Sequence, residues 1–154
     1  MTEQAFRYEP AADRPGWFTW DLTDDSRFNA QAMGRMITRT EDRPDGGKAA
    51  RLRMFPERCH SNLLDAVHGG VTLALIDISL FAAMRTLLQG DAAGSVTLDL
   101  STQFIGAGRL GEPLDAVVEV LRETGRLVFL RGLVVQGDDT VAAFNGTIRK
   151  PTRR

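Results

Sequence analysis

Between Val71 and Met84 only Thr72, Asp77 and Ser79 are not apolar, and no other stretch restricts the possible folds so narrowly. The whole segment Gly69 to Gln89, about 21 residues, would make a helix of roughly 30 Å. A helix apolar nearly all round has to be enclosed by other structure. Gly90 is a natural stop for it. The only other helical signal is short: Asp24 and Asp25 can cap a helix through Met33, which Gly34 would end. With no second helix to cover the first, a sheet must curve around it.

The rest of the chain has period two. Arg35–Glu41 reads as a strand. Lys48–Phe55 alternates, with Ala50, Leu52 and Met54 on one side and Arg51 and Arg53 on the other; the turn Pro44-Asp45-Gly46-Gly47 joins the two as a hairpin. In Ser95–Ile105 an apolar face of Val96, Leu98, Leu100 and Phe104 stands opposite a polar face of Thr97, Asp99, Ser101 and Gln103. Leu114–Leu121, Leu127–Val135 and Thr140–Ile148 follow, with turns at Glu123-Thr124-Gly125 and Gly137-Asp138-Asp139. Short connections make them antiparallel. The expectation is an α+β domain over residues 31–150, made of two strands, one long helix and four strands. Residues 1–30, with Tyr8, Trp17, Phe18 and Trp20, read as an irregular arm packed on it through aromatics, and 151–154 as a basic tail.

Composition excludes several classes. A chain of 154 residues suits one domain. Its 19 Lys and Arg against 20 Asp and Glu give no basic excess, so no nucleic-acid partner is expected. Cys59 is the only cysteine, so no intramolecular disulfide can form. The opening residues carry acids and prolines without a long apolar run, unlike a signal peptide. No uninterrupted apolar stretch of about 18 residues occurs, and a cytoplasmic protein without a membrane partner is expected. Gly106-Ala107-Gly108-Arg109-Leu110-Gly111 matches a dinucleotide-binding fingerprint, but Glu112-Pro113 and a strand follow where a helix is required. Cys59 and His60 are neighbours that extended chain would turn apart. Two histidines and one cysteine make a poor zinc set. No G-x-S-x-G elbow and no phosphate-binding P-loop occurs.

The features that carry chemistry are His68-Gly69-Gly70 at the helix start and Asp77 inside the apolar run. The first amides of a helix lack internal partners and sit at the positive end of its dipole. Glycines there let a ligand approach closely. Such amides can bind the oxyanion of an attacked thioester, worth about 3–4 kcal/mol for one donor. Asp77, with Leu73, Ala74, Phe81 and Met84 near it, is a carboxylate in surroundings that make ionisation costly unless something compensates. A structural ion pair is the competing reading for Asp77. Asn62 can hold a water or orient a carbonyl, or merely make a turn. Thr97 is a hydroxyl on the polar side of its strand.

Asn62-Leu63-Leu64-Asp65-Ala66-Val67-His68-Gly69-Gly70, followed by Leu73 and Asp77, resembles the hot-dog acyl-CoA thioesterases of the phenylacetate-pathway and 4-hydroxybenzoyl-CoA thioesterase type. Ser95–Phe104, the turn from Gly108 to Leu114, and Thr124-Gly125-Arg126 extend the likeness over roughly residues 48–150. The resemblance implies a curved antiparallel sheet around one helix, in a homodimer or homotetramer with sites between subunits. It implies hydrolysis of an aromatic or medium-chain acyl-CoA to free acid and CoA, with neither metal nor cofactor. Asp77 would be nucleophile or general base, Gly69 the carbonyl-polarising amide, and His68 the residue orienting its loop. Asn62 would position water or substrate, and Thr97 would supply a supporting hydroxyl. Gly70 and Phe81 would border the substrate; Phe81 stands where some relatives carry a helical hydroxyl. Arg126 and Arg149, with Arg122, Lys150, Arg153 and Arg154 nearby, are candidates for the CoA phosphates. Two other readings stay open: a non-catalytic acyl-CoA-binding protein of the same fold, and a hot-dog hydratase or dehydratase, which would need a helical histidine after His68.

Overall fold

The computed structural model describes residues 6–88 and 92–152. Its elements run β1 (Phe6–Arg7), β2 (Phe18–Thr19), β3 (Asp21–Leu22), β4 (Met36–Asp42), β5 (Lys48–Met54), α1 (Gly69–Leu87), β6 (Val96–Phe104), β7 (Leu114–Glu123), β8 (Leu127–Gln136) and β9 (Asp139–Arg149). Seven strands form one antiparallel sheet in the order β2-β4-β5-β7-β8-β9-β6, and β1 pairs with β3 beside it.

The alternation in the sequence explains the core. Ala50, Leu52 and Met54 of β5, Ala116 and Val118 of β7, and Val128 and Leu130 of β8 turn inward onto α1, joined by Phe144 and Ile148 of β9. Against them α1 buries Leu75, Ile76, Ile78, Leu80, Ala82, Ala83 and Met84. By length and composition α1 could cross a membrane, yet half of its apolar window is packed inside the domain. The sheet approaches α1 closely at Gly146, where a Cβ would fall 2.6 Å from Leu80 Cδ1.

The structure refines three expectations. The arm, otherwise irregular, carries three two-residue strands: β2 joins the main sheet through β4, and β1 pairs with β3, because Phe18 and Trp20 each find a neighbour to pack on. The short helix is a single π turn, Asn29–Met33, ended by Gly34 at φ 70°. Asp24 instead accepts from Ser26, in a turn before the helix. The faces of β6 are also not as the alternation suggests. Val96, Leu98 and Phe104 are 43%, 54% and 55% exposed, while Thr97 points at α1. As the edge strand, β6 has a neighbour on one side only, and a register shift between Thr97 and Asp99 turns its side chains over. The predicted helix end at Gln89 and Gly90, and Arg153 and Arg154, lie outside the described residues; α1 closes at Leu88, whose N–H reaches Met84 O.

On the outer face of the sheet, polar residues of β4, β5 and β7 form an ion network. Asp115, only 4% exposed, accepts two bonds from Arg53 (2.7 and 2.8 Å) and one from Arg51 (2.8 Å), which also clasps Glu41. The ring of Trp17 lies under the guanidiniums of both Arg39 and Arg53, at 4.5 and 4.6 Å. With Ala11, Ile37 and Phe55 it makes a second small apolar cluster, which ties the arm to the sheet.

Candidate active site

The loop before α1 is tightly built. Asn62 Oδ1 accepts from the Leu64 and Ala66 amides at 2.9 and 3.1 Å, so this oxygen holds the turn. Asp65 takes φ 58°, a left-handed conformation that aspartate tolerates better than most residues. Leu63 and Leu64 are left almost fully exposed.

His68 is the N-cap of α1. Its Nδ1 accepts from Gly70 N at 2.8 Å, and its own N–H reaches His60 O at 2.8 Å. The His60 side chain fixes this arrangement from below: Nε2 contacts Ala32 O at 2.8 Å and Nδ1 accepts from Glu57 N at 2.9 Å. Those two contacts match the tautomer that carries its proton on Nε2. Cys59 Sγ lies 3.7 Å from the same ring, closer than extended chain would bring it, because residues 58–60 form a 3-10 turn. Both ring nitrogens already have nearer partners, so the pair is no nucleophile and base. The sequence drew attention to His60 only as the neighbour of Cys59, and nothing in it marked the residue as the brace of this loop.

The Gly69 N–H makes no hydrogen bond among the described residues. It is the orphan donor a helix start provides. A Cβ on Gly69 would meet the exposed Phe104 ring at 3.5 Å, so the amide sits beside β6 with little above it.

Asp77 is half-buried on the face of α1 that looks toward β6. The Thr97 hydroxyl donates to its Oδ1 at 2.6 Å, the length of a charge-assisted bond. Phe81 follows one turn later, also half-buried. Gly69 and Asp77 are eight residues apart on one helix, hence about 12 Å apart along its axis. A single carbonyl cannot meet both in the same chain.

Arg126 and Arg149 come close to each other through the ladder, since Arg149 pairs with Leu127 and with Val96, next to Thr97. Both are exposed, and Arg149 alternates with the buried Ile148, so it lies on the outer face of the sheet, away from Asp77. Lys150 is engaged with Glu123 at 2.6 Å. Among the described residues no group of three or more His, Cys, Asp or Glu could hold a metal ion.

Comparison with known proteins decides the family. The profile of the thioesterase superfamily matches residues 64–143, which span α1 and its His-Gly-Gly start, β6, β7 and β8. The chain belongs to the thioesterase superfamily. No curated protein matches it by sequence. Among solved structures it is similar to a conserved protein of Pseudomonas aeruginosa (28% identity, 67% of this chain and 81% of that one, TM-score 0.61). It is also similar to the PaaI protein of the Escherichia coli phenylacetic acid degradation operon (21% identity, 80% and 83%, TM-score 0.64). A third is the BH2602 protein of Bacillus halodurans, solved with CoA (26% identity, 64% and 65%, TM-score 0.57). Within the superfamily, the sheet wrapped on α1 is the hot-dog fold that the resemblance implied. The matched stretch stops short of the arm, which in this superfamily member is tied down by its own aromatic and ionic contacts.

Proposed function

We propose that this superfamily member hydrolyses acyl-CoA thioesters, aromatic or medium-chain, to the free acid and CoA. The reading rests on one observation: the half-buried Asp77 carboxylate held by Thr97 on a helix whose first amide is unpartnered. Thr97 occupies Oδ1 and leaves Oδ2 to act. That oxygen either takes a proton from water as it attacks the thioester carbon, or attacks directly to give a mixed anhydride that water then opens. As negative charge grows on the carbonyl oxygen, the Gly69 N–H donates to it, with His68 capping the same turn. The C–S bond breaks and CoA leaves as its thiolate.

The separation of about 12 Å between Gly69 and Asp77 along α1 favours a site shared by two copies, Asp77 from one and Gly69 from the other. The exposed apolar side chains Val96, Leu98 and Phe104 on the edge strand, with Leu63 and Leu64 in the loop, give a second copy a surface to bury. Arg126 and Arg149 have guanidiniums that match phosphate geometry, but on the outer face of the sheet they suit the nucleotide end of CoA alone, reaching round the edge strand. The CoA in the Bacillus halodurans structure supports that ligand class. The test is turnover of a thioester panel by the wild type and by Asp77→Asn, which keeps the shape but loses the base. A loss of at least ~10² in kcat with an unchanged melting curve is expected. Near-wild-type turnover in Asp77→Asn overturns the reading.

A further inference from the structure

Eight residues beyond Asp77, near the last turn of α1, stands Arg85. Its guanidinium lies over two rings of the arm, 5.1 Å from the centroid of Tyr8 and 5.6 Å from that of Phe6. Those rings are themselves fixed. Phe6 packs edge-on to the buried Trp20 at 4.4 Å, and Tyr8 stacks on Phe18 at 5.1 Å. The arginine has no carboxylate partner among the described residues, unlike Arg35, Arg39, Arg51 and Arg53 on the neighbouring strands. A cation presented on aromatic faces keeps its N–H edge open for a planar anion.

Position says which anion. Asp77, Phe81 and Arg85 follow one another at four-residue spacing, and all three are half-buried. Helical side chains cover the turn N-terminal to their own Cα, so an acyl chain bound at Asp77 and running along Phe81 would reach Arg85 where it lies on the arm rings. A thioester carbon at Asp77 then stands roughly 7–12 Å from the guanidinium, about five to nine carbon–carbon bonds. Granting the thioesterase reading above, we infer that Arg85 reads a carboxylate at the far end of the acyl chain, and that the preferred substrates are ω-carboxyacyl-CoA thioesters. The arm, outside the matched stretch, thus sets specificity by holding Arg85 through Phe6 and Tyr8.

Adipoyl-CoA and hexanoyl-CoA share chain length and differ in the terminal carboxylate, so the ratio of their kcat/KM values isolates that group. The wild type should favour adipoyl-CoA. Arg85→Gln should lower the ratio at least tenfold, mainly through KM for adipoyl-CoA. Arg85→Lys, which keeps charge without the planar fork, should lower it less; it also supplies the comparison if Arg85→Gln melts early. The same shift should appear with adipoyl and hexanoyl thioesters of N-acetylcysteamine, which carry no phosphate. A packing role for Arg85 would affect both acyl groups equally and leave the ratio unchanged, which overturns the inference. A shift seen with CoA but lost with N-acetylcysteamine assigns Arg85 to a CoA phosphate and overturns it too. Hexanoyl-CoA turnover without preference for adipoyl-CoA removes this inference alone. No turnover of either ester removes the thioesterase reading and this inference with it.

Discussion

A hydroxyl that donates to one oxygen of a carboxylate orients the other, and Thr97 does this for Asp77 at 2.6 Å. Hydrogen bonds to charged groups contribute about 1.5–3 kcal/mol. If Asp77 is the reacting group, Thr97→Val should therefore lower kcat roughly ten- to a hundredfold, while Thr97→Ser recovers most of it. Equal activity in wild type and Thr97→Val would show that Asp77 needs no such orientation. Of this pair the sequence marked only the carboxylate, because a polar residue in an apolar run is visible and a cross-element bond is not. Alternation put Thr97 on the polar face of its strand, and only the register shift after it turns the hydroxyl to α1. For Asn62 both readings were open, and its oxygen is engaged in the turn.

Among elements, the strands of the sheet are joined on their outer face by the Glu41–Arg51–Asp115–Arg53 network. The Glu41 carboxyl is held below its ordinary value of 4.5, first by the hydrogen bond from Arg51, against a desolvation that pushes it up. A depressed folded-state pKa adds stability above the unfolded value, and that contribution disappears as pH falls through the folded one. Asp21, raised by burial, acts in the opposite sense and favours the fold at low pH. The urea midpoint should accordingly drop on acidification below about pH 4.5, and Glu41→Gln should reduce that drop. An identical acid profile in Glu41→Gln would contradict the assignment. Periodicity located β4, β5, β7, β8 and β9 to within a few residues, since each has a buried face to encode. It could not show β1, β2 and β3, which are two residues each and are held by Trp17 and Trp20 instead of by a pattern.

At the scale of the whole molecule, the central proposal is a site built from Asp77 of one copy and Gly69 of another. Gly69→Pro tests it cleanly. Proline suits the first helical position, and His68 before it already has φ −61° and ψ 136°, which proline's neighbour requires. The substitution thus removes one N–H and little else, with an expected loss of ~10²–10³ in kcat. Asp77→Asn should be inactive for the other reason, the loss of the base. The decisive measurement is thioester turnover after mixing the two inactive variants in equal amounts under subunit exchange. In a mixed dimer one site pairs the intact Asp77 of one chain with the intact Gly69 of the other. If the site is shared, about a quarter of the wild-type activity per total site returns. A mixture that stays as inactive as its components, while labelled subunits show that exchange occurred, contradicts the shared site.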